Sequence, residues 1–247
     1  MTDINRAEYE QKGYLTGIAL VSPQEATHIR DQFDALEASV GRETARIGLV
    51  DYHCKYEFLW NLVNHPKVID TVQTLLGEDV LLLATHFFCK YGQEERFVAW
   101  HQDVTYWGLE PPKALTIWYA IDASDVENGC MRVIPGTHSR GIREHGKSDQ
   151  AGNLLSINQE VPTTAEENAS AVNLVLKAGE FSIHDGALIH GSLPNRSNRR
   201  RCGLTMRFVA TSVGQTDATR QSDRWHPVLF SGEDREHHFD LQPKPCF

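Results

Sequence analysis

From residue 80 onward the chain breaks into short apolar runs separated by turn formers, and that punctuation limits the folds open to it. The runs cover 80–90, 98–106, 114–121, 130–134, 174–176, 180–184, 187–190 and 202–211. Between them stand Gly92, Pro111-Pro112, Asn128-Gly129, Pro135-Gly136, Gly179, Asp185-Gly186 and Pro194-Asn195. Gly, Pro, Asn and Asp are the residues that tight turns require. Many short strands at this spacing make a sandwich or a barrel, and a double-sheet jelly roll leaves room for a ligand inside. The 247 residues suffice to bury such a core, and no internal repeat divides them.

The first 78 residues read as mainly helical. An amphipathic segment begins at residue 7 and turns at Gly13 into a short strand over 14–21, interrupted by Gly17. Ser22-Pro23-Gln24-Glu25 is a helix start: Ser22 caps, Pro23 suits the first turn and Glu25 completes a capping box. Ala26, Ile29, Phe33 and Leu36 follow at helical spacing up to Gly41. Residues 42–64 carry no clear periodicity. A second helix is predicted over 66–76, with Gly77 as its stop. A polar stretch over 140–171 interrupts the strands, and a connection this long is a functional lid or is disordered. The tail over 212–247 is polar with scattered aromatics and has no assigned role. The expectation is one domain, 1–247: a helical part over about 1–78, a jelly-roll core over about 79–211 and a lid over about 140–171.

Charge and cysteine usage narrow the partners. A formal net charge of -9 argues against nucleic acid and anionic membranes, which attract basic surfaces. No apolar run approaches the roughly 18 residues of a transmembrane helix. The polar start, Met1 to Glu8, is not a signal peptide. The 5 cysteines are an odd, scattered set without C-x-x-C, which fits free thiols in a reducing cytoplasm. The sequence sets no oligomeric state.

Within the strand region, Trp100-His101-Gln102-Asp103 carries chemistry. In an extended strand His101 and Asp103 project from one face and Gln102 from the other. An imidazole and a carboxylate fixed side by side are two thirds of the facial triad that holds non-haem Fe(II) and leaves coordination positions open. The third ligand is normally a distant histidine, and His138, His145, His184 and His190 are the downstream candidates. His190 ends an apolar run and precedes the basic stretch 196–201. An arginine there suits the distal carboxylate of a metal-bound 2-oxo acid, because its planar fork pairs with carboxylate. On the strand that follows, Arg201, Gly203, Thr205 and Arg207 share one face, and Cys202, Leu204, Met206 and Phe208 the other. Parity allows Arg199 and Arg201 on the inward face and excludes Arg200.

Three motifs in order resemble the phytanoyl-CoA dioxygenase family. They are Trp100-His101-Gln102-Asp103, the run from Glu127 to His138 (Glu-Asn-Gly-Cys-Met-Arg-Val-Ile-Pro-Gly-Thr-His), and His190-Gly191-Ser192 followed by Pro194-Asn195-Arg196-Ser197. The resemblance covers about 8–210. It implies a mainly β fold with flanking α-helices around a double-stranded β-helix (jelly-roll, cupin-like) core, and a dioxygenase using Fe(II), 2-oxoglutarate and O2. It implies His101, Asp103 and His190 as iron ligands and Arg201, eleven residues after His190, as the 2-oxoglutarate anchor. Trp118, His86 and Ser192 match or neighbour cosubstrate-lining positions, and Arg207 is a candidate for an anionic group of the substrate. The expected reaction is hydroxylation of an unactivated C–H bond in a small polar metabolite or natural-product intermediate, releasing succinate and CO2. A halogenating branch replaces the carboxylate ligand by a small residue, so Asp103 favours hydroxylation. Desaturation, epoxidation and cyclisation use the same ligands. A cupin-like metal-binding protein without oxygenase activity is the alternative of another class, and it has no need of Arg201 beside His190.

Overall fold

Short polar signals bracket the helices that open the chain. The computed structural model describes residues 4–155, 157–216 and 225–247. Residues 1–3 of the expected helical part, Ser156 of the expected lid and 217–224 of the tail lie outside the described residues. The Asn5 side chain caps α1 (Arg6–Lys12), and Gly13, at φ 81°, turns the chain into β1 (Tyr14–Ala19). The left-handed φ is the one a glycine adopts without strain. Ser22 and Glu25 form the expected capping box of α2 (Pro23–Val40). Two helices, α3 (Arg42–Ile47) and α4 (Glu57–Val63), occupy the stretch that shows no periodicity. At under two turns each they are too short for a repeat to register. The expected helix α5 (Pro66–Leu76) follows and stops at Gly77.

Strands then dominate. In order they are β2 (Val80–Lys90), β3 (Val98–His101), β4 (Leu109–Glu110), β5 (Leu115–Ala120), β6 (Met131–Val133), β7 (Gly146–Lys147) and β8 (Gln159–Glu160). After α6 (Ala165–Ser170) come β9 (Val172–Leu174), β10 (Glu180–Asp185), β11 (His190–Ser192), β12 (Arg201–Ala210), β13 (Gly214–Gln215) and β14 (Val228–Ser231). The main sheet runs β1-β10-β5-β12-β2-β14 and the smaller one β3-β11-β6-β9, with every pair antiparallel. This is the double-sheet jelly-roll fold, mainly β with flanking helices. Strands from both ends of the chain, β1 and β14, form the edges of the main sheet. Among the described residues no helix is long and apolar enough to cross a membrane.

Alternation divides each central strand between two environments. On one face Phe87, Cys89, Ile117, Tyr119, Phe181, Leu204 and Phe208 pack in one apolar cluster with Phe33, Leu59, Val68 and Val72 of the helices. On the other face His86, Phe88, Thr116, Trp118, His184, Arg201, Thr205 and Arg207 line a cavity between the two sheets. A bulge pairs Arg207 with Ala84 but Phe208 with Leu82. Beyond it Leu81, Leu83 and Val209 join a separate cluster with Val104, Trp107 and Phe239.

Two expectations are corrected. The run 98–106 is not one strand: β3 ends at His101, and Asp103–Tyr106 form a 3-10 turn. The Gln102 side chain ends it, donating to Gly141 O at 3.0 Å and Ala187 O at 2.7 Å and accepting from Arg143 N at 2.8 Å. The run 187–190 is mostly turn, and β11 begins only at His190, because Asp185 accepts from Ala187 N at 2.8 Å and folds the chain back. The stretch 140–171 carries the β7–β8 pair and α6, whose Thr164–Glu167 capping box and Arg143–Glu167 ion pair hold it together. It is also fastened beside the site, since Gln102 N donates to His145 Nε2 at 3.0 Å.

Candidate active site

Two strands of the smaller sheet bring the first donors together. His101 on β3 and His190 on β11 are direct cross-strand partners, with ring centroids 4.1 Å apart. His101 Nδ1 lies 2.9 Å from Ala99 O, and His190 Nδ1 lies 3.0 Å from Leu188 O. A carbonyl only accepts, so each Nδ1 carries the proton and each Nε2 presents a lone pair. Asp103, at the start of the 3-10 turn, supplies the third donor. Its Oδ1 is 3.3 Å from His101 Nε2 and 3.9 Å from His190 Nε2. One ligand atom from each of the three side chains lies within 4.8 Å of the others, and all three residues are buried.

The second carboxylate oxygen of Asp103 is held by the main sheet. Thr116 Oγ1 donates to Oδ2 at 3.2 Å, and His184 Nε2 lies 3.5 Å from it. Among the described residues His184 Nδ1 has no hydrogen-bond partner, and its ring sits 4.4 Å from that of His190. Burial, reinforced by the His101 and His184 rings, pushes His190 well below the ordinary histidine range, so its imidazole is neutral. Burial opposes the Asp103 charge, but the surrounding imidazoles outweigh it and hold the carboxyl well below the usual carboxylate range. The buried donor set of two imidazole nitrogens and one carboxylate oxygen suits Fe(II).

Beyond this cluster the cavity continues, at about 400 Å³. Arg201 is 3 % exposed; its Nε and Nη2 donate to Gly129 O at 3.1 and 2.9 Å, and its guanidinium lies 5.1 Å from the Trp118 ring. Gly203 lies under the same ring: a Cβ there would meet the indole at 2.0 Å, so only glycine leaves Trp118 its place. Ser192 and Trp118 both line the cavity. His86 also faces it; its Nε2 donates to Ile47 O at 2.6 Å, and burial, with Arg207 nearby, lowers it to about 4. Arg207 lies over Trp107 at 5.1 Å, on the cavity wall.

The three consecutive arginines go three ways. Arg199 pairs with Asp125 and Glu127 at the surface. Arg200 joins Asp34 and Glu37 of α2 to Asp122. Only Arg201 enters the cavity. Of the other histidines weighed, His138 lies near Glu10 O, and His145 receives Gln102 N beside the site; neither belongs to the donor cluster. His184, a candidate for the third ligand by sequence, lies instead against Asp103 Oδ2, outside the three-donor set; Thr116 and Lys90 carry no motif that marks them as site residues. His184 and Thr116 share the inward face of their strands with Ser182 and Trp118, so alternation was the available signal. Their contact with Asp103 depends on the two sheets meeting.

A family model described as Phytanoyl-CoA dioxygenase (PhyH) matches residues 9–203. The phytanoyl-CoA dioxygenase domain-containing protein 1 homolog of Dictyostelium discoideum is 31% identical over 126 residues, 51% of this chain and 44% of that protein. The peroxisomal phytanoyl-CoA dioxygenase of Bos taurus is 25% identical over 235 residues, 86% of this chain and 69% of that protein. The chain thus spans less than half of the first relative's length. Among solved structures, the non-heme monooxygenase ThoJ in its apo form superposes with a TM-score of 0.78 at 25% identity, covering 96% of this chain and 86% of that one. CytC3 with Fe(II) and alpha-ketoglutarate superposes with a TM-score of 0.71 at 23% identity, covering 98% and 93%.

Proposed function

The chain belongs to the phytanoyl-CoA dioxygenase family, and from that membership we propose that it is a non-haem Fe(II)- and 2-oxoglutarate-dependent oxygenase that hydroxylates a C–H bond of a small molecule. The observation that carries this reading is the buried His101, Asp103 and His190 set, with each histidine Nδ1 engaged by a carbonyl and each Nε2 turned toward Asp103 Oδ1. In this reading those three side chains hold the iron. Arg201 anchors the distal carboxylate of 2-oxoglutarate, with Ser192, Trp118 and His86 around it. When bound, iron and 2-oxoglutarate supply an oxidant derived from O2, with succinate and CO2 as by-products. Thr116 holds Oδ2 of Asp103, so Oδ1 is the oxygen left to face the metal. The 140–171 segment, fastened through Gln102, keeps bulk water from one side of the site.

The cavity also bears on the substrate. About 400 Å³ has to take the cosubstrate as well, which leaves room for a small substrate or one end of a larger one. Phe88, Trp107, Leu154, Leu155 and Trp225 make most of the remaining wall apolar, and Arg207 and Asp51 are its charged groups. The substrate in this reading is a small metabolite with an apolar body and few polar groups, an anionic one placed at Arg207. Residues 1–247 act as one catalytic unit, and the free thiols suit the reducing cytoplasm. Purified protein with Fe(II), ascorbate, 2-oxoglutarate and O2 is expected to release succinate slowly without added substrate. His101→Ala is expected to abolish it. Absence of iron-dependent 2-oxoglutarate binding by the wild type would sink the proposal.

A further inference from the structure

Behind Ser192, on the cavity wall, two buried basic side chains meet with no acid beside them among the described residues. Lys90, the last residue of β2, and Arg201, the first of β12, are register partners across the two strands. Lys90 is fully buried, and Arg201 nearly so. Neither pairs with a carboxylate among the described residues: Arg201 donates to Gly129 O, and Lys90 Nζ reaches Ser192 Oγ and Leu193 O, each at 2.5 Å. Burial, and then the Arg201 charge, drive the Lys90 amine well below its ordinary value. Two adjacent cations taken out of water without a counter-charge are costly. A ligand anion offsets that cost.

We infer that Lys90 is a positioning residue that acts through Ser192 to select a 2-oxo dicarboxylate over a 2-oxo monoacid. The inference rests on the functional reading above. With a ligand anion offsetting that cost, Lys90 is an ammonium, which has only protons to give. In the Lys90–Ser192 contact the hydroxyl oxygen therefore accepts, and its own proton points elsewhere. No acceptor for that proton occurs among the described residues, and Ser192 lines the cavity. The hydroxyl is thereby held as a donor toward the ligand. Leu193 O fixes the ammonium from the other side. Asn195 closes the arrangement, its Nδ2 donating to Lys90 O at 3.2 Å and to Arg199 O at 2.6 Å. Lys90 does not touch the ligand itself; it orients Ser192 and adds positive charge beside Arg201.

The test measures binding, not turnover. Anaerobic Fe(II)-loaded protein is titrated calorimetrically with 2-oxoglutarate and with 2-oxovalerate, which has the same five-carbon chain but no distal carboxylate. Lys90→Met keeps the length and removes the donors. It is expected to weaken 2-oxoglutarate binding about 10- to 100-fold, the size of a lost charge-assisted hydrogen bond, and to leave 2-oxovalerate within about twofold. Ser192→Ala is expected to cost much less in the Lys90→Met background than in the wild type. Equal losses for both ligands, or no loss for either, overturn the role of Lys90. Lys90→Gln carries the same comparison and criterion if the methionine variant does not fold. Wild-type protein that binds neither acid in an iron-dependent way overturns the functional reading itself, whereas wild-type binding retained in the variant overturns only this inference.

Discussion

The main sheet has two faces built from the same strands, and their chemistry is opposite. Toward the helices, Phe87, Ile117, Tyr119, Phe181, Leu204 and Phe208 are fully buried. Toward the cavity, one residue along each strand, stand His86, Thr116, Trp118, His184, Arg201 and Thr205. The first face gains stability from apolar burial at about 25 cal/mol per Å². The second buries polar groups, which cost stability unless partnered. A single strand such as β12 serves both because alternation keeps the two sets apart. The comparison teaches that stability and chemistry are separable here at the level of neighbouring residues.

Three measurements break or sharpen that separation. The largest effect is expected on the helix side: Phe208→Ala should cost roughly 3–5 kcal/mol in urea unfolding, as large core truncations do. Iron and 2-oxoglutarate affinities of the folded protein should stay within about twofold, and a parallel fall in both would show that the faces are coupled. Next is acid sensitivity, which both faces share. His53 meets Thr85 on the helix-facing side of β2, while His86 faces the cavity. Burial pushes each to about 4, with Arg207 adding to the effect at His86. Both are neutral when folded and bind protons more readily when unfolded, near the ordinary value of about 6.5. Their contribution is therefore complete above about pH 6.5 and is lost as pH falls toward 4, on the order of 3 kcal/mol for each. His53→Gln and His86→Gln should each flatten the stability-against-pH curve in that window, and only His86→Gln should alter cosubstrate binding. An unchanged slope in either variant contradicts the assignment. The smallest effect is Thr116→Val, which removes the donor to Asp103 Oδ2. Iron affinity should drop about tenfold, as for other outer partners of metal ligands, with unfolding nearly unchanged; unaltered affinity would show that Asp103 needs no such support.

Legibility from the sequence followed the range of the signal. The α2 capping box and the alternation from Arg201 to Phe208 were readable because each lies within a few residues and one face is uniformly apolar. The helices α3 and α4 were not, since neither completes two turns. The end of β3 was missed because Val98 to Tyr106 has the same local pattern as a strand, and the groups that turn it, Gly141 and Ala187, are remote. Parity left both Arg199 and Arg201 open; acids at 125 and 127 hold Arg199 at the surface.

By itself the sequence determined the jelly-roll class, the family and the identities of the candidate donors, because turn formers, alternation and short motifs act over a few bonds. Only the tertiary structure decided that His101 faces His190 across a strand pair, that Thr116 and His184 close on Asp103 from the opposite sheet, and that Lys90 meets Ser192. Those contacts join residues far apart in the chain. They exist because two sheets pack with one register, and register is set by the sum of burial along whole strands, which no local motif records.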